Sequence, residues 1–495
     1  MKEQNNLSFR PFFAWALVAV LVSAFVALFV SFQVGVWILF FTIAAWWTWE
    51  HPEEGFLLLI VLAPLLPMMK ITQTIGTATL IKDIIIGTLL LKLVLVPLVT
   101  KRLPYRRNVL FAPAAALLAW TAWETLRADS LLLGVLRARD IVLYLALFFA
   151  VLYLHHDPRT LHARFRWVSS VLLVVLALGV YQWFFAVDSA VLRYDPVRDV
   201  WIPRLSSILA HPSIFGQYVV FAAALFGGAA LVGRKPQRPL FAALLLLLVP
   251  FVYLTYSRAV WLGLAVSLAV QSVVLAARLV RQPLPPSPRL RRASHFPLWK
   301  YAMPTVAGAL LLTLLLIRFT PAGIFVRSAF DPTYGSNEER LEFLVRLIAP
   351  LSNTEALIGK GLGDVLAQNF RAVDVTTFDI ATGDARAVQL TKNRTLVDNQ
   401  YLKTLVEMGL TGLLIYVWLY WRFGKAAWQL SNDRTAAPGQ RIIGLAAIGF
   451  LAAFVVQALF IDIWDIFPTN ANFWIIAALV SATSAPRIKN PAARR

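Results

Sequence analysis

Long apolar segments separated by short polar loops occupy most of the 495-residue chain. The first runs from Phe12 to Trp49 and is interrupted chiefly at Ser31, Gln33 and Gly35, which suits two membrane-spanning helices of about 20 residues each. No small-residue cleavage site follows a short apolar core. We therefore predict that this region stays as an anchor and is not removed as a signal peptide.

Twelve further segments show the same pattern, which gives fourteen candidate spans in all. One of them, Gly55–Met68, is short enough for a re-entrant segment. The twelve are Gly55–Met68, Leu80–Val99, Val109–Glu124, Asp140–Leu154, Trp167–Phe185, Pro212–Val232, Pro239–Tyr256, Ala259–Ala277, Tyr301–Ile317, Asn399–Trp421, Ile442–Phe460 and Asn470–Ala482.

The pattern predicts an all-α fold, a polytopic transmembrane helical bundle of about 12–14 spans. Composition agrees, because a chain that is 59% hydrophobic and 15% charged is too apolar for a soluble domain. We predict a transmembrane bundle over residues 1–318 with a basic linker at 278–300, an extracytoplasmic loop at 319–398, further spans at 399–483, and a tail at 484–495.

The formal net charge of +20 would suggest nucleic acid as a partner in a soluble protein. Here the positive residues fall in alternate short loops, so the positive-inside rule explains them and places both termini in the cytoplasm. No nucleic-acid partner is predicted, although the Pro- and Arg-rich linker Gln282–Pro297 has anionic lipid as an alternative role. The basic clusters begin at Lys101, Arg159, Arg234, Arg278, Arg422 and Arg487.

The chain has no cysteine, which excludes disulfides, a thiolate nucleophile and cysteine-based metal sites. Four aspartates (Asp374, Asp379, Asp384 and Asp398) are the remaining candidates for a metal site, but their spacing matches no ligand pattern. We predict no metal and no other cofactor.

The same sidedness places a long polar stretch, Thr320–Val397, on the outer face. Ser336 and Glu339 there form a capping pattern that predicts an amphipathic helix ending at Ile348. The turn Gly359-Lys360-Gly361-Leu362-Gly363 can bring backbone close to a ligand, which makes Gly361 and Gly363 candidate substrate-loop residues. It lacks the strand and the spacing of a nucleotide phosphate loop.

The outer stretch meets the membrane at Asp398 and Asn399, either of which can cap the apolar helix that follows. Glu407 lies two turns inside that helix, where an ionisable group is costly and marks a candidate site. A structural ion pair with Lys403, one turn earlier, is the alternative explanation.

Three outward-facing arginines stand out for a different chemistry. Arg204 shortly precedes a helix start at Pro212, Arg258 follows Ser257 at a helix turn, and Arg340 begins the predicted loop helix. Interfacial snorkelling or structural ion pairs would explain arginines near helix ends. Guanidinium groups also bind phosphate bidentately and suit a diphosphate leaving group, as in a polyprenyl-diphosphate-linked sugar, without a metal.

The order of these motifs resembles the O-antigen ligase and O-antigen polymerase superfamily. The motifs are an arginine before a His-Pro helix start, a Ser-Arg turn, an Arg-initiated loop helix leading to Gly-x-Gly-x-Gly, and Asn-x-x-Leu continuing as Glu-x-Gly-Leu-x-Gly, between Arg204 and Tyr416. The resemblance implies a GT-C-like membrane glycosyltransferase of the bacterial inner membrane with a periplasmic active face. It also implies an undecaprenyl-diphosphate-linked glycan donor bound by Arg204, Arg258 and Arg340.

One departure bears on the reaction. Ligases of this superfamily resemble one another in a histidine of the outer loop, whereas this chain has none between Thr320 and Asn399. We therefore favour a polymerase of lipid-linked repeat units, with Asp398 as the acceptor-orienting base, Glu407 as second choice, and His211 as a further candidate that fits helix entry equally well.

Other functions and partners stay open at this point. The alternatives are a ligase that transfers the glycan to lipid A-core, peptidoglycan strand synthesis, and a flippase for lipid-linked sugars, which would line a central cavity with charges through the membrane. The predicted acceptor is a second glycan or lipid A-core. Membrane lipids surround the chain, and a chain-length regulator is a further candidate partner.

Overall fold

The structure is a computed structural model of the chain. It describes residues 20–28, 32–66, 80–101, 108–154, 158–187, 190–195, 200–209, 211–280, 348, 351–365, 399–433 and 435–484. Helices dominate this part, which confirms the all-α polytopic class. Within it, six helices are long and apolar enough to cross a membrane: Trp167–Phe185, Pro212–Val232, Lys235–Leu254, Arg258–Arg278, Gln400–Asn432 and Pro438–Gln457.

The chain divides into two compact units. The first comprises Met1–Arg106, Leu143–Val175 and Ile208–Ala210. In it, α1 (Phe32–Glu50), α2 (Pro52–Leu62) and α3 (Leu80–Leu90) pack pairwise against one another. A π-helical turn (Leu91–Leu95) joins α3 to α4 (Val96–Val99), so the predicted span Leu80–Val99 is helical throughout.

The second unit comprises Arg107–Val142, Leu176–Ser207 and His211–Arg495. It contains α5 (Phe111–Leu126), the start of α6 (Leu131–Tyr153) and the end of α7 (Pro158–Phe185). An antiparallel hairpin follows, in which β1 (Val191–Asp195) pairs with β2 (Val200–Arg204) and Val191 lies opposite Arg204.

Among the described residues, six longer α-helices and one short α-helix follow the hairpin in the second unit. They are α8 (Pro212–Val232), α9 (Arg238–Leu254), α10 (Arg258–Val280), the short α11 (Asn353–Ile358), α12 (Gln400–Asn432), α13 (Pro438–Gln457) and α14 (Thr469–Ser484).

Helix α13 packs against α8, α10 and α12, and the buried side chain of Gln271 on α10 ties three of these helices together. Its amide nitrogen donates to the carbonyls of Ala224 on α8 (2.8 Å) and Leu445 on α13 (3.4 Å). A polar side chain that bonds across apolar helices in this way fixes their register.

One end of the second unit gathers helix termini. The backbone amide of Gln400 at the start of α12 donates to Ala458 just after α13 (2.9 Å), and Thr469 at the start of α14 donates to Gln217 on α8 (2.6 Å). We call this the loop end: α8, α10, α12 and α14 begin there, and α9 and α13 end there. Basic residues at Arg234, Lys235, Arg238 and Arg441 lie at the opposite helix termini.

Two features of the loop end differ from the sequence prediction. The span that was predicted to begin at Asp140 starts earlier, because α6 begins at Leu131 and carries Arg137 inside it. The loop before His211 contains the β1–β2 hairpin, which a purely helical prediction missed. The predicted loop helix from Ser336 and the span Tyr301–Ile317 lie outside the described residues.

Helix α12 is interrupted near its start at Gly409, where φ is +66° and ψ is −175°. That region of backbone space is accessible essentially only to glycine. A Cβ atom there would lie 2.4 Å from the carbonyl oxygen of Leu357 and 2.5 Å from the amide nitrogen of Gly359. The interruption therefore lets α12 touch the backbone that leaves α11.

Gly409→Ala should destabilise the second unit, because this glycine-only backbone conformation costs an L-residue about 1–3 kcal/mol and the Cβ atom would also collide with the backbone that leaves α11. We expect a lower thermal unfolding midpoint in detergent. Gly439→Ala is the matched control, since its Cβ atom meets nothing within 4 Å and alanine favours the helix. Equal midpoints for the two variants would contradict the close crossing at Gly409.

Candidate active site

Arg204 and Arg258, two of the three predicted diphosphate-binding arginines, come to the same turn at the loop end. Arg204 is the last residue of β2 and is largely buried, and its Nε donates to the carbonyl of Thr255 at 2.9 Å. The next amide, of Leu205, donates to Leu254 at 2.9 Å. Arg258 begins α10 three residues after Thr255. The turn between α9 and α10 thus brings together two arginine residues that are 54 positions apart in the sequence.

The backbone around this turn is strained. Ser207 and Tyr256 have φ values of +52° and +46°, which non-glycine residues rarely adopt. The side-chain oxygen of Gln182 on α7 accepts from the amides of Ser206 (3.1 Å) and Ser207 (2.7 Å) and holds the first strained segment. Strain of this kind persists only where surrounding contacts enforce it, and it is common at functional sites.

His211 and Ser257 extend this cluster. His211 is the N-cap of α8, and its Nδ1 accepts from the amide of Ser213 at 3.2 Å. The hydroxyl of Ser213 lies 3.4 Å from that of Ser257. Although His211 keeps a solvent-facing surface, desolvation of the ring and then the charge of Arg204 lower its pKa to about 4. The imidazole is therefore neutral at pH 7 and weakly basic, and its position fits helix entry.

A second cluster of charges surrounds Glu407, which is 1% exposed. Its Oε2 accepts from Nε of Arg137 at 3.1 Å, and the same guanidinium donates to Asp465 through NH1. Lys403 bonds to Asp465 and to Asp462, the latter at 2.5 Å. We call Arg137, Lys403, Glu407, Asp462 and Asp465 the charge network.

The charge network changes two expectations. The ion pair with Lys403, offered as the alternative explanation of Glu407, does not form, because Glu407 pairs with Arg137 and Lys403 pairs with the two aspartates. Sequence inspection missed Arg137, Asp462 and Asp465. The only sequence signal for Arg137 was a charged residue flanked by apolar ones, and its partners are hundreds of residues away.

Asn399 caps α12, as one of the two predicted candidates. Its side-chain oxygen accepts from the amides of Tyr401 (3.0 Å) and Leu402 (3.1 Å). Lys403 and Glu407 lie one and two turns further along the same face of the helix. The cap therefore fixes where the charge network begins.

The glycine turn after α11 packs against its own chain. A Cβ atom at Gly361 would lie 2.8 Å from Cα of Ala128, and one at Gly363 would lie 2.9 Å from the carbonyl of Leu133. The turn was predicted to approach a ligand with its backbone. In this structure, the space beside Gly361 and Gly363 is filled by the backbone between α5 and α6.

Arg127 fastens the same turn. It pairs with the buried Glu124 at 2.9 Å and donates to the carbonyls of Ile358 (3.2 Å) and Gly359 (3.1 Å). The amide of Lys360 donates to Val406 at 2.8 Å. The turn thereby links α5 to the residue next to Glu407. Helix α11 begins with a capping box at Ser352 and Glu355, a Ser-x-x-Glu pattern that was visible in the sequence.

Several predicted site residues lie outside the described residues. Arg340 and Asp398 are among them, as are Asp374, Asp379 and Asp384. Within the described ranges, no group of three or more histidine, aspartate or glutamate side chains is arranged to hold a metal ion.

Residues 241–417 match the family model Wzy_C, described as O-Antigen ligase, over about a third of the chain. The matched range runs from α9 into α12 and contains Arg258, the glycine turn and Glu407, whereas Arg204 and Arg137 precede it. No curated protein matches the chain significantly. The family match confirms the resemblance to the O-antigen ligase and polymerase superfamily over this range.

Gln182→Ala should destabilise the segment that follows Arg204. The backbone N–H groups of Ser206 and Ser207 would lose their acceptor, at a cost of about 1–3 kcal/mol each. We expect a lower thermal unfolding midpoint. Gln237→Ala, at an exposed site between α8 and α9, is the control and should leave the midpoint unchanged. A Gln182→Ala midpoint equal to the wild type would show that the strained segment does not depend on this side chain.

Proposed function

On the premise that residues 241–417 form an O-antigen ligase-type domain, we propose that the protein is a membrane glycosyltransferase that polymerises undecaprenyl-diphosphate-linked repeat units. The observation that carries the proposal is the convergence of Arg204 and Arg258 on the strained turn at Thr255–Ser257. The active face is the loop end, facing the periplasm.

The arginines bind the donor diphosphate. As the glycosyl–oxygen bond breaks, negative charge grows on the departing diphosphate, and fixed guanidinium groups stabilise that charge most when water is excluded. Both side chains stay charged at all relevant pH values and offer bidentate donors. Arg340 of the outer loop is the third member of the proposed set, and Ser257 and Ser213 add hydroxyl donors. No metal takes part.

The acceptor is the terminal sugar of a second lipid-linked glycan. Its hydroxyl must be oriented and relieved of its proton, which requires a carboxylate or an imidazole within reach. Asp398, next to the N-cap Asn399, and Glu407 are the two carboxylate candidates. His211 is the weakest candidate, since its Nδ1 is engaged by Ser213 and its low pKa makes it a poor base. Inversion at the anomeric carbon is what the superfamily implies.

The distribution of buried charge favours an enzyme over a flippase. Among the described residues of the second unit, the buried charged side chains lie beside the loop end, and Gln271, one of the buried polar residues further along the helices, is uncharged. Lys82 on α3 is also buried and belongs to the first unit. A flippase would need charges along its path through the membrane. The six loop-end side chains are Glu124, Arg137, Arg204, Asp364, Lys403 and Glu407.

A ligase that transfers the glycan to lipid A-core is the second candidate, favoured by the description of the matched family. To separate the two, the purified protein should be placed in liposomes with an undecaprenyl-diphosphate-linked repeat unit, with and without lipid A-core. We expect a product ladder on gels without added core. Product formed only on the core lipid would establish the ligase, and no product in either sample would reject both.

Arg258→Ala should abolish product while the protein stays folded, with a rate loss of about 10²–10³-fold if the guanidinium acts on the leaving group. Arg258→Lys keeps the charge but loses the bidentate geometry, so it should retain a small part of the rate. Arg234→Ala, at an exposed position of the opposite end, is the control. Initial rates of ladder formation report the result, and full activity of Arg258→Ala would refute the assignment.

A further inference from the structure

The two oxygens of the Glu407 carboxylate have different surroundings. Oε2 accepts from Arg137 at 3.1 Å. Oε1 is fully buried, and among the described residues no donor reaches it. A buried carboxylate oxygen without a hydrogen bond is costly, so such atoms in native structures call for an explanation.

Two carboxylate oxygens of the charge network have no donor among the described residues. The network contains three carboxylates and two cations, and Asp462 Oδ1 is a second buried acceptor without a described partner. Both unsatisfied atoms are oxygens that can only accept when ionised. A ligand that satisfied these two oxygens would have to be a donor, and the hydroxyl groups of a sugar are donors.

Burial within the network decreases toward the surface. The side chains of Asp462 and Asp465 are 23% and 29% exposed, whereas that of Glu407 is 2% exposed. The aspartates are thus the part of the network nearest to solvent. They lie at the loop end, where α13 ends and α12 begins, the same end as Arg204 and Arg258.

The position of Arg137 is fixed by its other partners, so that it can orient the carboxylate of Glu407. Its guanidinium is held by Asp465, Asp465 is held by Lys403, and Lys403 is held in turn by Asp462. This chain ties α6 and α12 to the segment between α13 and α14. As a result, the hydrogen bond from Arg137 fixes the rotation of the Glu407 carboxylate, and its Oε1 has no donor among the described residues.

We propose that Glu407 is the carboxylate that receives the acceptor hydroxyl and that Arg137 is its positioning residue. This inference deepens the proposed function and rests on it. The hydroxyl oxygen forms a bond to the anomeric carbon of the donor, the bond from that carbon to the diphosphate oxygen breaks, and the diphosphate leaves with the electron pair. The hydroxyl proton passes to Oε1 of Glu407.

A purely structural staple is the alternative, and it makes a different prediction. Removing one member of a buried ion pair strands a charge and destabilises a protein, while replacing both members by neutral groups is often tolerated. The double variant Arg137→Gln/Glu407→Gln therefore separates stability from catalysis. If the Arg137–Glu407 pair only holds helices together, the double variant should recover both its unfolding midpoint and its transfer activity.

The experiment compares Arg137→Gln, Glu407→Gln, the double variant and Arg137→Lys as full-length proteins in the liposome assay. We expect Arg137→Gln to be less stable and the double variant to recover its unfolding midpoint. Activity should stay at least about a hundredfold below wild type in both, as for loss of a general base. Arg139→Gln, two residues along α6 and 40% exposed, is the matched control and should remain active.

A second readout is independent of turnover. A hydrophobic carbodiimide modifies protonated carboxyl groups, and mass spectrometry of peptides locates the product. Removing the guanidinium leaves the buried Glu407 carboxylate without its compensating charge, so Arg137→Gln should label at Glu407 about tenfold faster than wild type at pH 7. Arg137→Lys keeps a counter-charge and should label slowly while its rate of transfer falls.

The outcomes are distinguishable. A double variant with both stability and activity restored, or unchanged labelling of Glu407 in Arg137→Gln, would overturn the inference while leaving the proposed function intact. A wild-type protein that forms no product with either acceptor would overturn the proposed function and this inference with it.

Discussion

The ion pair between Arg137 and Glu407 is the contact on which the loop end depends. A single buried charge is costly inside an apolar bundle, so Arg137 and Glu407 each require the other. Asp465 pairs with Lys403 and with Arg137, which compensates the remaining charge. The consequence is mechanical as well as electrostatic. Helix α6, the start of α12 and the segment before α14 cannot separate without exposing a bare charge to apolar surroundings.

The second constraint is a close backbone crossing between the end of α11 and α12, next to the charge network. Gly409 and Gly359 both adopt φ and ψ values that are reserved for glycine, and each would place a Cβ atom within 3 Å of the other's segment. This crossing lies two residues beyond Glu407. Because Arg127 donates to the carbonyls of Ile358 and Gly359, the end of α11 is held beside the part of α12 that carries Glu407.

Much of the fold could be predicted from the hydrophobic pattern, and the reasons for the failures are physical. The span Pro212–Val232 was predicted to the residue, since Pro212 and the apolar run mark both its ends. The start of α6 was missed because hydropathy counts Arg137 as a loop residue, whereas Glu407 and Asp465 neutralise it across more than 260 positions of sequence. Long-range pairing of this kind leaves no local pattern.

Site residues that stand beside a helix start could be predicted from the sequence, whereas those that depend on a distant partner could not. Arg204, Arg258 and the cap at Asn399 stand beside helix starts, and those positions could be recognised. The partner of Glu407 could not, since a lysine one turn away is the nearest candidate in sequence but is drawn to Asp462 and Asp465 in space. The glycine turn was recognised as a close approach, but sequence does not say whether the neighbour is a ligand or the chain itself.

The two clusters carry charge of opposite sign, and the proposed reaction requires that arrangement. In the transfer, a proton moves from the acceptor hydroxyl to a carboxylate while the diphosphate gains a negative charge, so the net effect is to move one negative charge from the network toward the arginines. A site with fixed cations at the destination and an excess of anions at the origin favours that movement at every stage. Arg137 and Lys403 limit the excess to a single negative charge, which is enough to accept one proton. If the arginines and the carboxylates were mixed in one cluster, ion pairs between them would oppose the binding of both the diphosphate and the hydroxyl.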